Sequence, residues 1–272
     1  MLFRSVPFED IRVLHGDTQV APKGMDTYGS RSLAVGGMAL VAACDKVVAK
    51  ARVIAAGLLE VSADDLEWSP GRWSVRGDPE QGKNIAEIAL ATFAAHNLPD
   101  GVEPSLDSDA TYDPGNFSFP HGTHLCATEV DTETGQVRIR RYVAVDDVGN
   151  VVNPLIVEGQ VHGGIAQGIA QALYEEAVYD ADGNLLTTTL ADYTIPSAAD
   201  LPTLVTDRTE TPATSNPLGV KGVGEAGTIA STPAVVNAVV DALRPFGVKD
   251  VEMPCTPQRV WRAIAAAKGD RA

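Results

Sequence analysis

The sequence predicts a mixed α/β fold, and three observations carry that prediction. Strand-like alternation and helix-like apolar runs follow one another along the 272 residues. Turn signals separate them, with Pro-Gly in "LEWSPGRWSV" and "DTETGQ" between two long strand-like runs. Two Gly-rich loops, "GMDTYGSRS" and "KGVGEAGT", each lead into a helix-like run.

Taken in order, "EDIRVLHGDT" alternates and then breaks at a turn, which predicts a short strand. "PKGMDTYGSRS" is the first Gly-rich loop. From Leu33 to about Leu59 the chain is Ala- and Val-rich, which predicts a long helix ended near Gly57. "LEWSPGRWSV" predicts a hairpin, and Asn84 is placed to cap the helix "IAEIALATFAAHN". Residues 99–120, rich in Pro, Gly, Asp and Ser, predict a long ordered loop or linker. "HGTHLCATEVDTETGQVRIRRYVAVDDVGNVVNP" predicts two long strands. "IVEGQVHGGIAQGIAQALYEEAV" predicts a helix whose small residues suit close packing, and "YDADGNLL" a turn between strands. "TPAVVNAVVDAL" and "PQRVWRAIAAA" predict two final helices, each with Pro in its first turn.

Composition excludes several function classes. Lys and Arg number 21 against 36 Asp and Glu, a net charge of −15, so no basic face for nucleic acid or an anionic membrane is expected. The charge is spread along the chain, which suits solubility. Cys44, Cys126 and Cys255 form no CxxC pair and cannot supply the four ligands of a usual iron–sulfur cluster. They are expected to be buried free thiols in a reducing, cytoplasmic compartment. No apolar run reaches the roughly 18 residues of a spanning helix. The start, "MLFRSVPFEDIRV", is neither a signal nor a transit peptide, and it suggests a chain that begins within something larger.

The stretch from Gly219 to Gly227 poses the functional question, because five of its nine residues are Gly or Ala and one is an acid, Glu225. Gly admits positive φ and close approach of a ligand to the backbone. Backbone N–H groups at a loop-to-helix junction favour anions. The loop is neither a Walker loop nor a dinucleotide fingerprint, since the Gly-Lys-Ser/Thr ending and the GxGxxG order are both missing. A Glu near a helix start is more often a capping or dipole partner than a base. A second Gly-rich loop and "EGQVHGG" weigh the other way, since together they could serve one extended anionic cofactor.

Other candidates are weaker. His121 and His124 are spaced HxxH on a strand start, where they point in different directions, and no third metal ligand is evident. Asp146, Asp147 and Asp192 read as turn or cap residues. His162 reads as packed or hydrogen-bonded on its helix, and Trp68, Trp73 and Trp261 as packing residues.

"GDTQVAPKGMDTYGSRS", "TGQVRIRRYVAVDDVGNVVNPLIVEGQVHGGIAQGIAQAL" and "GVKGVGEAGTIASTPAVVNAVVDAL" resemble the C-terminal part of the molybdopterin-binding large subunit of the xanthine dehydrogenase, aldehyde oxidase and aerobic carbon monoxide dehydrogenase family. The resemblance runs in order from about Val6 to about Ala265. It implies the α/β (α+β) cofactor-binding region of that family, with mixed sheets and packed helices and without the N-terminal part of the family fold. It implies a subdomain at 1–110 carrying the dinucleotide loop, long helix and hairpin, and one at 111–272 carrying the Glu loop.

The activity implied is that of a molybdenum hydroxylase, which places water-derived oxygen on an electron-poor carbon of an aldehyde or N-heterocycle. The cofactor implied is molybdenum-molybdopterin, in its cytosine dinucleotide form, with iron–sulfur clusters and FAD on partner subunits. Glu225 matches the family's base, and a carboxylate with few polar neighbours is fit to take a proton near neutral pH. Lys221, Gly222, Val223 and Gly224 match the loop packed on the cofactor, and Gln160 matches a cofactor-contacting amide. Thr27, Gly29, Ser30, Arg31 and Ser32 match the loop that holds the dinucleotide.

Two departures accompany the resemblance. Asp26 stands where the family has Gly, and an acid there repels pyrophosphate unless it points away. The family's upstream "GQGH"-type loop and N-terminal domain are not in this sequence, and residues 1–5 stand at the helix that should precede "VPFEDIRV". The implied partner is therefore the upstream half of the subunit, the isolated chain is expected to be inactive, and a large apolar face is expected to lie exposed. The alternative is a non-catalytic remnant or scaffold that keeps the fold without cofactor. The "GEAGT" wording leans away from the carbon monoxide enzymes.

Overall fold

The computed structural model describes residues 6–20, 24–25, 27–69 and 71–269. Residues 1–5 and Asp26, each tied to an expectation above, lie outside the described residues. The chain divides into two compact units, one of residues 1–26 with 35–113 and the other of residues 27–34 with 114–272. A division at residue 110 keeps the first Gly-rich loop in the first subdomain. In the structure residues 27–34 group with the second unit, where Ser30 bonds Glu225 and Tyr28 meets Phe117.

In the first unit, helix α1 spans Met38–Leu59 and follows a π-helical turn at Leu33–Gly37. It ends at Leu59, as expected, two residues past Gly57. It closes at Glu60, whose N–H reaches the Ala56 and Gly57 carbonyls from a left-handed conformation. Gly57 serves packing instead, since a Cβ there would come 2.8 Å from Pro99 Cγ. Strands β1 (Leu66–Ser69), β2 (Arg72–Val75) and β3 (Asp78–Asn84) form an antiparallel sheet in that order. β1 and β2 pair as the expected hairpin, and Pro70 lies outside the described residues.

Strand β3 was not foreseen, because "DPEQGKN" is polar and mostly exposed and carries no alternation. Helix α2 (Ile85–Ala94) opens on a capping box. Asn84 Oδ1 accepts the Glu87 N–H and Glu87 Oε2 accepts the Asn84 N–H, both at 2.8 Å. Ala51, Ile54, Leu66, Trp73 and Ile88 form the core of this unit. The strand expected in "EDIRVLHGDT" is absent: Phe8–Asp10 is a 3-10 turn and Val13 and Leu14 are exposed. Alternation makes a strand only where an edge accepts it, and no described residue pairs with this run.

The second unit holds a sheet in the order β4 (His121–Val130), β5 (Val137–Asp147), β6 (Leu204–Thr209). The first pair is antiparallel, closed by Asp131, whose carboxylate accepts the Glu133 and Thr134 N–H groups. The second pair is parallel, with helix α3 (Pro154–Leu173) between its strands in the chain. Tyr142 and Ala144 of β5 share a core with Ile165 and Ile169 of α3, Val235 and Val239 of helix α4 (Ala226–Leu243), and Val260 and Ile264 of helix α5 (Pro257–Gly269). "YDADGNLL" makes one isolated bridge, Tyr179 to Leu185, rather than a strand pair.

Helices α3 and α4 meet through bare backbone. A Cβ on Gly164 would come 2.8 Å from the Thr228 nitrogen and 2.9 Å from Gly227 Cα. Gly164→Ala is therefore expected to destabilise the unit by about 1–3 kcal/mol by overpacking, although Ala gains about 1 kcal/mol over Gly in helix propensity. A thermal melt checks this, and a raised midpoint would mean that the helices can separate at little cost.

Helix α4 starts seven residues before Pro233, so that proline lies inside the helix rather than in its first turn. Gly227 in its first turn packs on Gly164 and Ile165 of α3, and this extends the helix back to Glu225. The segment Ala226–Phe246 is also long and apolar enough to cross a membrane, which inspection of the sequence did not anticipate. Its Val235, Val239 and Leu243 are fully buried in the core of the unit.

Candidate functional site

The Glu225 loop rests on the end of β5. Asp147 is fully buried there; its carboxylate accepts the Lys221 ammonium at 2.8 Å, the Gly149 N–H at 3.0 Å and the Thr209 hydroxyl at 3.0 Å. Burial alone would raise this carboxyl, but Lys221, the Gly149 N–H and Thr211 outweigh it and hold the group well below the usual carboxylate range. The Lys221 N–H donates to the Val148 carbonyl at 2.8 Å, and the Asn150 side chain donates to the Leu218 carbonyl at 2.7 Å. Buried Asn216 donates to the Val220 carbonyl at 2.9 Å and accepts the Val220 N–H at 3.2 Å. Gly149 and Gly219 both lie at positive φ, 67° and 66°, and a Cβ on Gly149 would strike the Gly219 carbonyl.

The first Gly-rich loop meets this one. Gly29 and Ser30 turn through the left-handed region at φ 58° and 56°. The Ser30 hydroxyl donates to Glu225 Oε2 at 2.7 Å and accepts the Glu225 N–H at 3.0 Å. A Cβ on Gly222 would come 2.7 Å from Ser30 Cβ and 3.0 Å from the Gly29 carbonyl. A Cβ on Gly224 would sit 3.1 Å from the Ser30 hydroxyl oxygen and 3.4 Å from Gln160 Oε1. Gln160 lies near the start of α3, whose first N–H groups bond the Asn153 side chain. Gly29, Ser30, Gln160, Gly222, Gly224 and Glu225, some 195 positions apart at the extreme, are thus brought together.

The remaining candidates are placed differently. The Lys221 ammonium turns down to Asp147, and Val223 packs against the core. Thr27 and Ser32 bond each other at 2.6 Å, and the Arg31 guanidinium lies 4.1 Å over the Tyr28 ring. Glu225 is exposed and occupies the N-cap position of α4, yet its side chain makes no cap bond. The Ser30 hydroxyl is the side-chain partner of this carboxylate.

Outside the loops, the His124 imidazole is covered and contacts the Tyr142 hydroxyl at 2.9 Å and Asp146 at 3.2 Å. His162 meets the Thr206 hydroxyl at 3.1 Å, and Asp192 accepts the Thr189 hydroxyl in a turn. Among the described residues no three His, Cys, Asp or Glu side chains are grouped to hold a metal ion. Trp68 and Trp73 pack together, but Trp261 is half exposed. Cys255 is buried, whereas Cys44 and Cys126 are only half-buried; burial pushes the Cys126 and Cys255 thiols up to about 11. Sequence reasoning missed Ser118, Asn150 and Asn216, which hold the loop backbone.

A family model described as molybdopterin cofactor-binding domain matches residues 2–202. The chain is 45% identical over 259 residues to the carbon monoxide dehydrogenase large chain of Hydrogenophaga pseudoflava, covering 95% of this chain and 32% of that protein. It is 39% identical over 259 residues to the nicotine 6-hydroxylase large subunit of Paenarthrobacter nicotinovorans, with 95% and 32% covered. The crystal structure of a Cu,Mo-CO dehydrogenase in its carbon monoxide reduced state matches with a TM-score of 0.86 at 40% identity, over 97% of this chain and 33% of that one. The chain therefore spans about a third of the length of the relatives it matches. The loop wording and the identities point in different directions on the carbon monoxide enzymes, because the higher identity is to one of them.

Proposed function

The chain belongs to the family of molybdopterin cofactor-binding domains, and from that premise we propose that it forms part of a molybdenum hydroxylase in which Glu225 is the base. The observation that carries the reading is the aim of one side chain. Glu225 sits where a helix cap is wanted, makes no cap bond, and turns its carboxylate to Ser30 beside bare glycine backbone.

The residues present suit a pterin cofactor. Gly224 is exposed and leaves main chain free of its own side chain, Gly222 lies buried against Ser30, and Gln160 brings an amide beside Gly224 that can donate and accept at a ring edge. Thr27, Ser32 and the Gly29–Arg31 backbone would serve the pyrophosphate of a cytosine dinucleotide. When bound, the molybdenum centre supplies the two-electron oxidation of a substrate carbon with water-derived oxygen. Glu225 takes the proton released at the reacting oxygen. Lys221, neutralised by Asp147, fixes the loop from beneath and leaves the upper face to backbone.

The proposed substrate is an aldehyde or N-heterocycle. The proposed partners are the remaining part of the molybdopterin subunit, an iron–sulfur subunit and an FAD subunit, in the cytoplasm. Val152, Leu155 and Ile156, exposed at the start of the helix that carries Gln160, support the view that further protein covers this face.

The test is molybdenum and pterin content after purification of the chain alone and co-expressed with the product of its upstream reading frame. Cofactor is expected with the neighbour. None in either preparation would leave a scaffold without cofactor as the function.

A further inference from the structure

Ser30 belongs to the loop matched to dinucleotide binding, yet its hydroxyl has a single proton, and that proton goes to Glu225 Oε2 at 2.7 Å. The same oxygen accepts the Glu225 N–H at 3.0 Å. One side chain thus holds both the carboxylate and the amide of residue 225, and supplies from another loop the acceptor for the N-cap N–H that an N3 side chain gives in a capping box. It does so from a strained backbone, since Ser30 is a non-glycine residue at φ 56°. Gly222 permits the approach, because any side chain there would push against Ser30 Cβ.

We propose that Ser30 is a positioning residue for Glu225: its hydroxyl fixes the carboxylate that takes the proton and is not a ligand of the cofactor phosphates. The inference rests on the reading of Glu225 as the base.

Ser30→Gly is the cleanest test, because Gly accepts the positive φ without strain and removes only the hydroxymethyl group. In the 15N-labelled chain, the Glu225 amide is expected to exchange with water at least about tenfold faster in Ser30→Gly, while the Val235 and Val239 amides inside α4 keep their rates. In the cofactor-loaded enzyme, kcat is expected to fall about tenfold with KM and molybdenum content unchanged. Ser32→Ala and Glu225→Gln are run beside it. Unchanged amide exchange would overturn the proposal on the free chain alone. Loss of molybdenum in step with activity would make Ser30 a cofactor ligand and overturn it too. Full activity in Ser30→Gly with none in Glu225→Gln would sink the positioning role and spare the base; full activity in both would sink the base and the inference together.

Discussion

Glu225→Gln is expected to lower turnover by about 10²- to 10⁴-fold in the cofactor-loaded enzyme while molybdenum content stays at the wild-type level. The substitution isolates one property. A glutamine has nearly the size of the glutamate, and its amide oxygen accepts the Ser30 hydroxyl as the carboxylate does. Its backbone N–H still donates to Ser30, so the two loops stay joined. What it loses is the ability to take a proton. Steady-state kinetics with metal analysis on the same preparation decide the matter. Turnover within about threefold of wild type at full metal occupancy removes Glu225 from the base's role. Parallel loss of metal and activity makes it a structural element of the cradle.

The parts of the fold set by short-range rules were legible. Asn84 announces a helix start, and a capping box with Glu87 stands there. The alternation on either side of "DTETGQ" announces the β4–β5 hairpin. The small residues of "GQVHGGIAQGIAQAL" announce close helix packing, and Gly164 and Gly168 lie against Gly227 and Ser231. What failed depended on partners far along the chain. The run at 9–18 alternates but has no described strand to join. Strand β3 is polar and exists because β2 offers an edge. Pro233 marks a helix start in isolation, but the contact between α3 and α4 begins the helix earlier.

The site divides in the same way. The Gly pattern around Glu225 marks a place where backbone must stay bare. Nothing local says that Ser30 faces Glu225 across 195 positions, or that Lys221 is spent on Asp147 rather than offered to a ligand. Asp147 could be read only as a turn residue, because "VAVDDVGN" does not reveal that the second acid ends its strand in a buried place.

That buried acid carries the second large effect. Lys221→Met is expected to destabilise the second unit by about 3–5 kcal/mol at pH 7, because it leaves an unpaired carboxylate in a covered site. Asp147 is fully buried and the Lys221 side chain is 10% exposed, so solvent does little to screen the pair or replace it. The double substitution Asp147→Asn with Lys221→Met should recover much of the loss, since Asn keeps an acceptor for the Gly149 N–H and no longer buries a charge. Urea unfolding followed at Trp261 reports this unit alone once Trp68 and Trp73 are changed to Phe.

The pH dependence separates charge from shape. In the wild type the folded Asp147 carboxyl lies below its unfolded value of about 3.9, so its stabilisation is complete above that pH and is lost as the pH falls further. Without Lys221, burial, the largest single influence on this carboxyl, is opposed only by the Gly149 N–H and the Thr211 bonds, and the folded carboxyl is expected to move above the unfolded value. The variant then takes up a proton on the way down and sheds its penalty. The gap between wild type and Lys221→Met should therefore narrow between pH 7 and about pH 4.5. A gap that stays constant over that range would show that Lys221 supports the loop by packing, and that the Asp147 charge is not what makes it indispensable.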